Sequence, residues 1–389
     1  SLGTFKIENK EWIGKPHTPN PIQIAYQLNI AGTSIAFEAA VLHRKTDPVR
    51  GEVINPFYIV PALGVTFEQP VFLYANDEAQ SLRLNVTNYG EAYEGAIELC
   101  HPKGWEVDQA TLPITLNGRG SSQFLEYQLK PTAAAESGYL GPLAIQGDKK
   151  ETVFAVQTLS YTHIPKQYIA QPSEAKVVRL DLKIPQIKVG YIAGAGDTVK
   201  ERLQTVGLSV ESIDIETTTL AELKTYDAIL VGIRAYNVIE SLAYKNQLLF
   251  DYAEAGGTLV TQYNTSRGLK TKKLTPLEMK LSRDRVTDEF STVRILEPKH
   301  PALNVPHKIT AQDFEGWVQE RGLYFPNQWD ERFTPLLGMN DAGETEKLGS
   351  ILVAPHGKGT VVYTGLSFFR ELPAGVPGAY RLLINLLAL

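Results

Sequence analysis

Cysteine is almost absent from this sequence, because Cys100 is the only one in 389 residues. A single thiol excludes an intramolecular disulfide and a thiolate-rich metal site. The seven histidines are scattered and do not show the close spacing of a zinc-binding helix. We therefore expect neither a bound metal nor a cofactor.

Two further classes of protein are excluded by what the sequence does not contain. No run approaches the about 20 consecutive apolar residues that a membrane-spanning helix needs. Acidic and basic residues are interspersed, and the formal net charge is -5. Without a basic face, the chain has no surface that could follow a phosphate backbone. We expect no transmembrane segment and no nucleic-acid partner.

The first part of the chain, to about residue 165, alternates apolar and polar residues. In the run SLRLNVTN, for example, Leu82 and Leu84 are separated by polar side chains, which is typical of strands with one solvated face. Turn-forming segments such as NYGEAYEG and LNGRGSS separate these runs. The pattern predicts an N-terminal β unit over residues 1–65 and an antiparallel β-sandwich over residues 66–162.

The pattern changes in the second part of the chain. Residues 163–187 contain three prolines and no helical stripe, and are interpreted as an extended linker. Over residues 188–389, nearly unbroken apolar strands such as IKVGYIAG and YDAILVGI alternate with amphipathic helices such as DTVKERLQTVG. This order predicts an α/β domain with a doubly wound, mostly parallel sheet of flavodoxin-like type, covered by helices on both faces.

Candidate binding residues follow the first predicted strand of the α/β domain. The segment GAGD places Gly194, Gly196 and Asp197 between a strand and a helix. This geometry can seat an anion on backbone N–H groups at the start of a helix. The alternative is a tight glycine turn in which Asp197 only caps the helix. The segment is not a dinucleotide fingerprint, because Val199 replaces its third glycine.

More candidates follow two later strands. Arg234, Tyr236 and Asn237 in GIRAYN, and Tyr263 and Asn264 in TQYNTS, come directly after strands. Ligands of open α/β sheets bind at the carboxyl ends of the strands, so these side chains are predicted to share one crevice. An arginine and tyrosine rings suit a carboxylate, a phosphate or a sugar. Structural pairing of the arginine and a turn role for Asn264 are the alternatives.

The segment DFEGWVQERGLYFP, residues 313–326, is rich in aromatic and charged residues. An exposed Trp317 beside Glu320 and Arg321 would form a carbohydrate platform, since apolar sugar faces stack on rings while sugar hydroxyls need hydrogen bonds. Trp317 equally fits a core position beneath a long loop. We keep these three residues as ligand-binding candidates.

The order of several motifs carries a resemblance to known families. These motifs are DPVRGEV, PKGW, GYIAGAGD, GIRAYN, WVQERGLYF and LSFFRELPAGVPGAYRL. Their order is similar to the region that follows the catalytic domain in long bacterial LmbE/PIG-L family de-N-acetylases. Within it, residues 188–389 resemble the class I glutamine amidotransferase-like fold, close to the trehalose-utilisation group, and the sandwich resembles the NEW3 type.

Two departures from these families shape the functional hypothesis. The AHPDDE-like zinc motif of the deacetylases is absent, and Asn264 stands where amidotransferases carry a cysteine. The resemblance therefore implies a non-catalytic accessory region without catalytic residues, which binds carbohydrate or another small molecule. It also implies an upstream zinc-dependent catalytic domain in the same polypeptide, in keeping with a sequence that starts at Ser1. A parent protein with a signal peptide would be periplasmic or extracellular.

Two alternative functions stay open. One is a hydrolase acting on a sugar derivative or an amide in the α/β crevice, with Thr265 or Ser266 as the nucleophile and His300 or His307 as the general base. The other is a structural module that mediates assembly.

Overall fold

The computed structural model describes residues 9–15 and 19–389. The parts of the N-terminal β unit expected over residues 1–8 and 16–18 lie outside the described residues. The chain is rich in strands that form several separate sheets, which confirms the β-rich, multi-domain prediction. No helix of the described residues is long and apolar enough to cross a membrane.

The N-terminal unit consists of a short 3-10 helix, Lys10–Trp12, and two antiparallel hairpins. Its strands are β1 (Gln23–Ile30), β2 (Thr33–Ala40), β3 (Leu42–Asp47) and β4 (Gly51–Pro56). In the first hairpin Tyr26 lies opposite Phe37, and their rings stack with centroids 5.7 Å apart. Both rings are more than 40% exposed, so this apolar side of the hairpin is open to solvent.

The β-sandwich follows with twelve strands in two sheets. The strands are β5 (Leu63–Phe67), β6 (Val71–Tyr74), β7 (Gln80–Asn88), β8 (Tyr93–Cys100), β9 (Trp105–Val107), β10 (Thr111–Leu116), β11 (Ser122–Pro131), β12 (Gly138–Gln146), β13 (Lys149–Thr152), β14 (Phe154–Leu159), β15 (Gln167–Pro172) and β16 (Ala175–Arg179). One sheet has the order β10-β8-β12-β16-β6, with β13 paired to β12, and the other has the order β15-β14-β5-β7-β11-β9. Leu82 and Leu84 are fully buried between the sheets, as their alternation predicts.

The linker expected over residues 163–187 is a linker only in part, because β15 and β16 belong to the sandwich. The prolines of this segment predicted an extended linker, but they are compatible with strand β15. Strand β15 is an edge strand that ends at Pro172, and an edge or a strand end tolerates a residue without a backbone N–H.

The α/β region contains the remaining elements. They are β17 (Lys188–Ile192), α1 (Val199–Thr205), β18 (Ser209–Ser212), α2 (Leu220–Leu223), β19 (Ala228–Val231), α3 (Ala235–Val238), α4 (Leu242–Glu254), β20 (Thr258–Thr261), β21 (Met279–Val286), β22 (Arg294–Ile295), β23 (Gly322–Trp329), β24 (Thr334–Pro335), β25 (Leu337–Gly338), β26 (Ile351–His356), β27 (Gly359–Thr364), α5 (Phe368–Glu371) and α6 (Pro377–Leu387), with short 3-10 helices at Pro301–Leu303 and Ala311–Phe314. A seven-stranded sheet has the order β18-β17-β19-β20-β27-β26-β24. Its first five strands are parallel. Strand β26 pairs antiparallel with β27, and β24 pairs antiparallel with β26.

Helices cover both faces of this sheet. Successive strand residues point to opposite faces, so Leu230 and Val260 share a core with α1 and α6, while Ile229 and Leu259 share another with α2 and α4. Strands buried on both faces read as continuous apolar runs, which explains the sequence pattern of this region.

The sandwich and the α/β region share a hydrophobic core. On β6, Phe72 faces the sandwich interior, whereas Val71 and Leu73 belong to the core that contains α1 and α6. The Nζ of Lys176 also donates a hydrogen bond to the carbonyl oxygen of Ala374, at 2.9 Å. The two regions therefore pack directly against each other.

Candidate functional site

Four parallel strands, β17, β19, β20 and β27, end at the same side of the α/β sheet. We call the loops that follow them the carboxyl edge; they comprise residues 193–198, 232–237, 262–266 and 365–370. This is the side at which open parallel sheets bind ligands. The predicted crevice residues from Gly194 to Asn264 all lie in these loops, but the structure uses them in different ways.

The glycines of GAGD allow two of the loops to approach closely. A side-chain carbon at Gly194 would collide with the carbonyl oxygen of Ile233. That same oxygen accepts a hydrogen bond from the N–H of Ala195 at 2.8 Å. Gly196 has a φ of +88°, which other residues rarely adopt. These glycines therefore have a structural reason to be present that is independent of any ligand.

Asp197 is engaged by its own surroundings. Its Oδ1 accepts hydrogen bonds from the hydroxyl of Tyr191 at 2.6 Å and from the N–H of Val199 at 2.9 Å. Burial, strengthened by the neighbouring carboxylate, raises the pKa of Tyr191 and keeps its hydroxyl a donor. Asp197 thus joins the end of β17 to the start of α1. The N-cap residue of α1 is Thr198 and not Asp197 as predicted, although Asp197 does accept from the first N–H of the helix.

Arg234 is exposed, and its guanidinium is free to bind a ligand. Its backbone is left-handed, with φ 54° and ψ 19°, and its N–H donates to the carbonyl oxygen of Tyr263 at 2.7 Å. Within the described ranges, the guanidinium makes neither an ion pair nor a hydrogen bond. A free arginine at the carboxyl edge can bind a carboxylate, a phosphate or sugar hydroxyls.

Tyr236, Asn237 and Asn264 do not present their side chains as predicted. Tyr236 and Asn264 are both fully buried. The Oδ1 of Asn264 accepts from the N–H of Tyr236 at 3.0 Å, and its Nδ2 donates to the carbonyl oxygen of Gln262 at 2.8 Å. Asn237 accepts from the N–H of Thr265 at 2.9 Å and donates to the carbonyl oxygen of the same residue at 3.1 Å. All three residues stabilise loops.

An aromatic group lies beside Arg234 at this edge. The ring of Tyr263 stacks on Phe369 with centroids 5.7 Å apart, and it is tilted against Tyr324 at 5.8 Å. Burial and the neighbouring Tyr324 raise the pKa of Tyr263, while the charges of Arg234 and Arg370 act in the opposite direction. We call Tyr263, Tyr324 and Phe369 the aromatic trio. The positive charges of Arg234 and Arg370 are therefore close to the ring of Tyr263.

The charge of Arg370 is balanced within the site. Its Nε donates to Oε1 of Glu320 at 2.7 Å, and the Glu320 side chain is 8% exposed. Glu320 was predicted as a site residue, and Tyr324 lies in the aromatic and charged segment DFEGWVQERGLYFP that the sequence indicated as a carbohydrate platform. Phe369 and Arg370 were missed. The segment LSFFR follows the last parallel strand, so the strand-end rule that located Arg234 would also have located Phe369 and Arg370.

Trp317 and Arg321 lie in the core and do not form a carbohydrate platform. They are 2% and 4% exposed. The Nε1 of Trp317 donates to the carbonyl oxygen of Asp313 at 2.9 Å. Arg321 donates from Nη2 to the carbonyl oxygen of Ser291 at 2.7 Å and from Nη1 to that of Phe314. The prediction of an exposed platform is therefore wrong for Trp317 and Arg321. Arg321 can be buried because backbone carbonyl oxygens inside the fold accept its hydrogen bonds.

A buried acid lies beneath the edge. Glu371 is fully buried, and its Oε2 accepts from the N–H of Val318 at 2.9 Å. Its Oε1 is 3.3 Å from the hydroxyl of Ser367. Burial raises the pKa of Glu371 to about 8, so this carboxyl holds its proton at neutral pH.

The residues of the hydrolase alternative are not assembled. The hydroxyl of Thr265 donates to the carbonyl oxygen of Arg267 at 2.8 Å. His300 lines a groove with Thr360, which lies at the start of β27 and so at the opposite edge of the sheet. His307 is buried, and its Nε2 accepts from the N–H of Lys183 at 2.7 Å. Neither histidine is placed to act as a base for Thr265.

Across residues 9–15 and 19–389, no group of three or more His, Cys, Asp or Glu side chains is arranged to hold a metal ion. A groove of about 660 Å³ on the α/β region lies between α4, β21 and β23. None of the predicted site residues lines that groove.

No protein-family model and no curated protein matches the sequence. Solved structures with some likeness include a β-galactosidase from Rahnella sp. R3, with 17% identity and a TM-score of 0.31 over 51% of this chain and 31% of that one. An exo-β-1,4-mannosidase from Opitutaceae bacterium strain TAV5 has 10% identity and a TM-score of 0.30 over 48% of this chain and 32% of that one. A β-galactosidase from Halorubrum lacusprofundi has 14% identity and a TM-score of 0.30, over 49% and 30% of the two chains. The chain thus spans about a third of each of these proteins, and such distant likenesses define neither its fold nor its function.

Proposed function

We propose that this chain is a non-catalytic accessory region that binds carbohydrate at its carboxyl edge. The observation that carries the proposal is the state of Asn264. It occupies the position where an amidotransferase-like fold would carry its nucleophile. Its amide oxygen is hydrogen-bonded to the neighbouring loop and its amide nitrogen to its own loop. An asparagine held in this way offers no nucleophile to a substrate.

The ligand surface consists of Arg234 and the half-buried rings of Tyr324 and Phe369. Tyr263 is 8% exposed and supports these two rings from within the fold. Sugar rings have apolar faces that stack on aromatic side chains, and their polar groups need hydrogen-bond partners. Arg234 supplies hydrogen-bond donors. Because Arg370 is paired with Glu320, Arg234 is the one of these two arginines whose positive charge is not compensated. A sugar that carries a carboxylate or another anionic group is therefore the ligand class that suits the edge best.

Backbone strain at this surface supports a binding role. Arg234 and Tyr324 have φ values of 54° and 53°, in the left-handed region that these residue types rarely adopt. Such conformations cost on the order of 1–3 kcal/mol and concentrate at functional sites. Both residues contribute to the same surface, one from the loop after β19 and the other from β23.

The proposal extends to the parent protein. The sheet order β18-β17-β19-β20 is 2-1-3-4 in chain order, which supports the flavodoxin-like and amidotransferase-like interpretation of this region. Together with the motif order in the sequence, it supports a place behind the catalytic domain of an LmbE/PIG-L family de-N-acetylase. In such a protein, deacetylation takes place in the upstream domain while this chain holds the carbohydrate.

Binding measurements with matched arginine variants test the proposal. The intact chain is screened on a glycan array that includes uronic acids, and the best soluble glycan is then titrated by calorimetry. We expect Arg234→Ala to weaken binding about tenfold or more, as loss of a central arginine contact does. The control is Arg50→Ala, which removes an exposed arginine at the turn between β3 and β4.

Two outcomes would overturn this function. One is equal binding by Arg234→Ala and the wild-type chain. The other is turnover of the bound glycan by this chain alone, because that would require catalytic groups that the proposal denies.

A further inference from the structure

The β-sandwich has a surface of its own that the proposed function does not use. In the sheet that contains β5, β7 and β11, the strand register places Thr66 opposite Asn85 and Asn85 opposite Phe124. Leu84 and Val86, the neighbours of Asn85, are buried in the sandwich interior. Because side chains alternate along a strand, the row formed by these three residues lies on the outer face of the sheet.

A hollow of about 280 Å³ lies on this outer face. Six of the residues that line it are Gly64, Thr66, Asn85, Thr87, Tyr89 and Phe124. A side-chain carbon at Gly64 would lie 2.8 Å from the ring of Tyr89. The absence of a side chain at Gly64 therefore makes room for the ring of Tyr89. This packing forms one wall of the hollow.

Phe124 provides an exposed ring at the rim of the hollow. The residue is 62% exposed although it lies on a strand. The guanidinium carbon of Arg83 lies 5.1 Å from its ring centroid, and Arg83 also pairs with Glu68 at 3.8 Å. A cation on one side fixes an exposed aromatic ring and leaves it available for stacking.

The floor of the hollow contains an acceptor without a partner. The Oδ1 of Asn85 is covered, yet it accepts no hydrogen bond from any residue that the structure describes. Covered polar atoms are almost always satisfied, so a ligand toward which the Asn85 amide turns would supply the missing partner. The hydroxyls of Thr66 and Thr87 line the same hollow.

The strand arrangement limits the kind of ligand. Strand β7 is hydrogen-bonded to β5 on one side and to β11 on the other, so this part of the sheet has no free edge to which a peptide strand could add. Recognition must occur through side chains. The volume lies just below the about 300–1,000 Å³ of sites for drug-sized ligands, which suits a single ring.

From these observations we propose that the outer face of this sheet binds one ring of a neutral polysaccharide. The apolar face of the sugar stacks on Phe124, and its hydroxyls form hydrogen bonds with Thr66, Thr87 and the amide group of Asn85. The site is separate from the carboxyl edge and stands on its own observations. A polymer held at this second site would keep the chain attached to that polymer.

Affinity gel electrophoresis of the full chain tests this site. The gels contain a neutral glucan, mannan, galactan or xylan, and retardation is converted to affinity. We expect retardation by at least one polymer, and about tenfold or more weaker affinity for Phe124→Ala, as for the loss of an aromatic anchor. Asn85→Ala should weaken it in the same direction.

The matched control is Tyr139→Ala, which removes a 61% exposed aromatic ring from β12 in the other sheet and should leave retardation unchanged. The four polymers are neutral, whereas the ligand expected at the carboxyl edge carries an anionic group, so a failure of the carboxyl-edge proposal is distinguishable from a failure here. Absence of retardation by all four polymers, or equal retardation of Phe124→Ala and wild type, would overturn the proposed site.

Discussion

The side-chain oxygen of Asn264 lies 3.0 Å from the backbone nitrogen of Tyr236 and accepts its hydrogen bond. This contact joins the loop after β20 to the loop after β19. Asn264 also donates from its amide nitrogen to the carbonyl oxygen of Gln262, so it is an acceptor between the two loops and a donor within its own loop. A cysteine at this position could not replace both bonds, since a thiol is a weak donor and a weak acceptor.

The first prediction concerns the stability that Asn264 supplies. Asn264→Ala should lower the free energy of unfolding by about 1–3 kcal/mol, because it leaves a buried N–H and a buried carbonyl without partners. Urea denaturation measures the change. Asn327→Ala, at an exposed asparagine of β23, is the control and should change stability by less than about 0.5 kcal/mol. Equal effects of the two changes would contradict the structural role.

The second prediction concerns pH and Glu371. Burial raises the pKa of this carboxyl from its ordinary 4.5 to about 8 in the folded protein. Between these two values the unfolded chain releases the proton while the folded chain retains it, so the contribution of Glu371 to stability falls as pH rises. That contribution is fully present below pH 4.5 and is lost as pH rises through about 8.

Glu371→Gln removes this titration while keeping a group of similar size that can still accept from the N–H of Val318. The free energy of unfolding, measured by urea denaturation at a series of pH values, should decline less steeply for the variant between pH 5 and 8, and the variant should gain on wild type as pH rises. Glu331→Gln, at an exposed position, should keep the wild-type slope. Parallel curves for Glu371→Gln and wild type would show that the buried carboxyl does not titrate as inferred.

The position of the carboxyl edge could be predicted from the sequence, because the rule that locates it uses only neighbouring residues. A polar residue directly after an apolar strand is visible in one segment, and parallel strands bring their ends to one side. The backbone conformation of the loop decides which side chain points to solvent. The pattern of apolar and polar residues does not indicate that conformation. Arg234 points to solvent from a left-handed backbone, whereas Tyr236, two residues later, is fully buried.

Other features depend on contacts between distant parts of the chain. Tyr324 reaches the edge because β23 pairs with β21 and its neighbour Leu323 bonds the carbonyl oxygen of Gly365. Strand β16 joins the sandwich by pairing with β6, about a hundred residues earlier. No periodicity within a segment reports such pairings, so β16 was predicted to be part of a linker, and the place of Tyr324 at the carboxyl edge was not predicted.

The last prediction concerns the contact between the sandwich and the α/β region. Gly375 has a φ of +66°, and a side-chain carbon there would lie 2.9 Å from Val71 and 3.1 Å from Leu73. Gly375→Ala therefore combines backbone strain with overpacking of the shared core, and each costs about 1–3 kcal/mol. We expect a clear loss of stability in calorimetric unfolding.

The control for this change is Gly147→Ala, which has a similar φ of +58° and nothing within 4 Å of the added carbon. Gly147→Ala introduces the backbone strain without the overpacking. The difference in stability between the two variants therefore measures the cost of overpacking the shared core. Because Val71 and Leu73 sit in one core with α1 and α6, wild type should unfold in a single calorimetric transition, and Gly375→Ala should lower its midpoint more than Gly147→Ala does. Equal shifts, or two independent transitions in the wild-type protein, would show that the shared core does not couple the two regions.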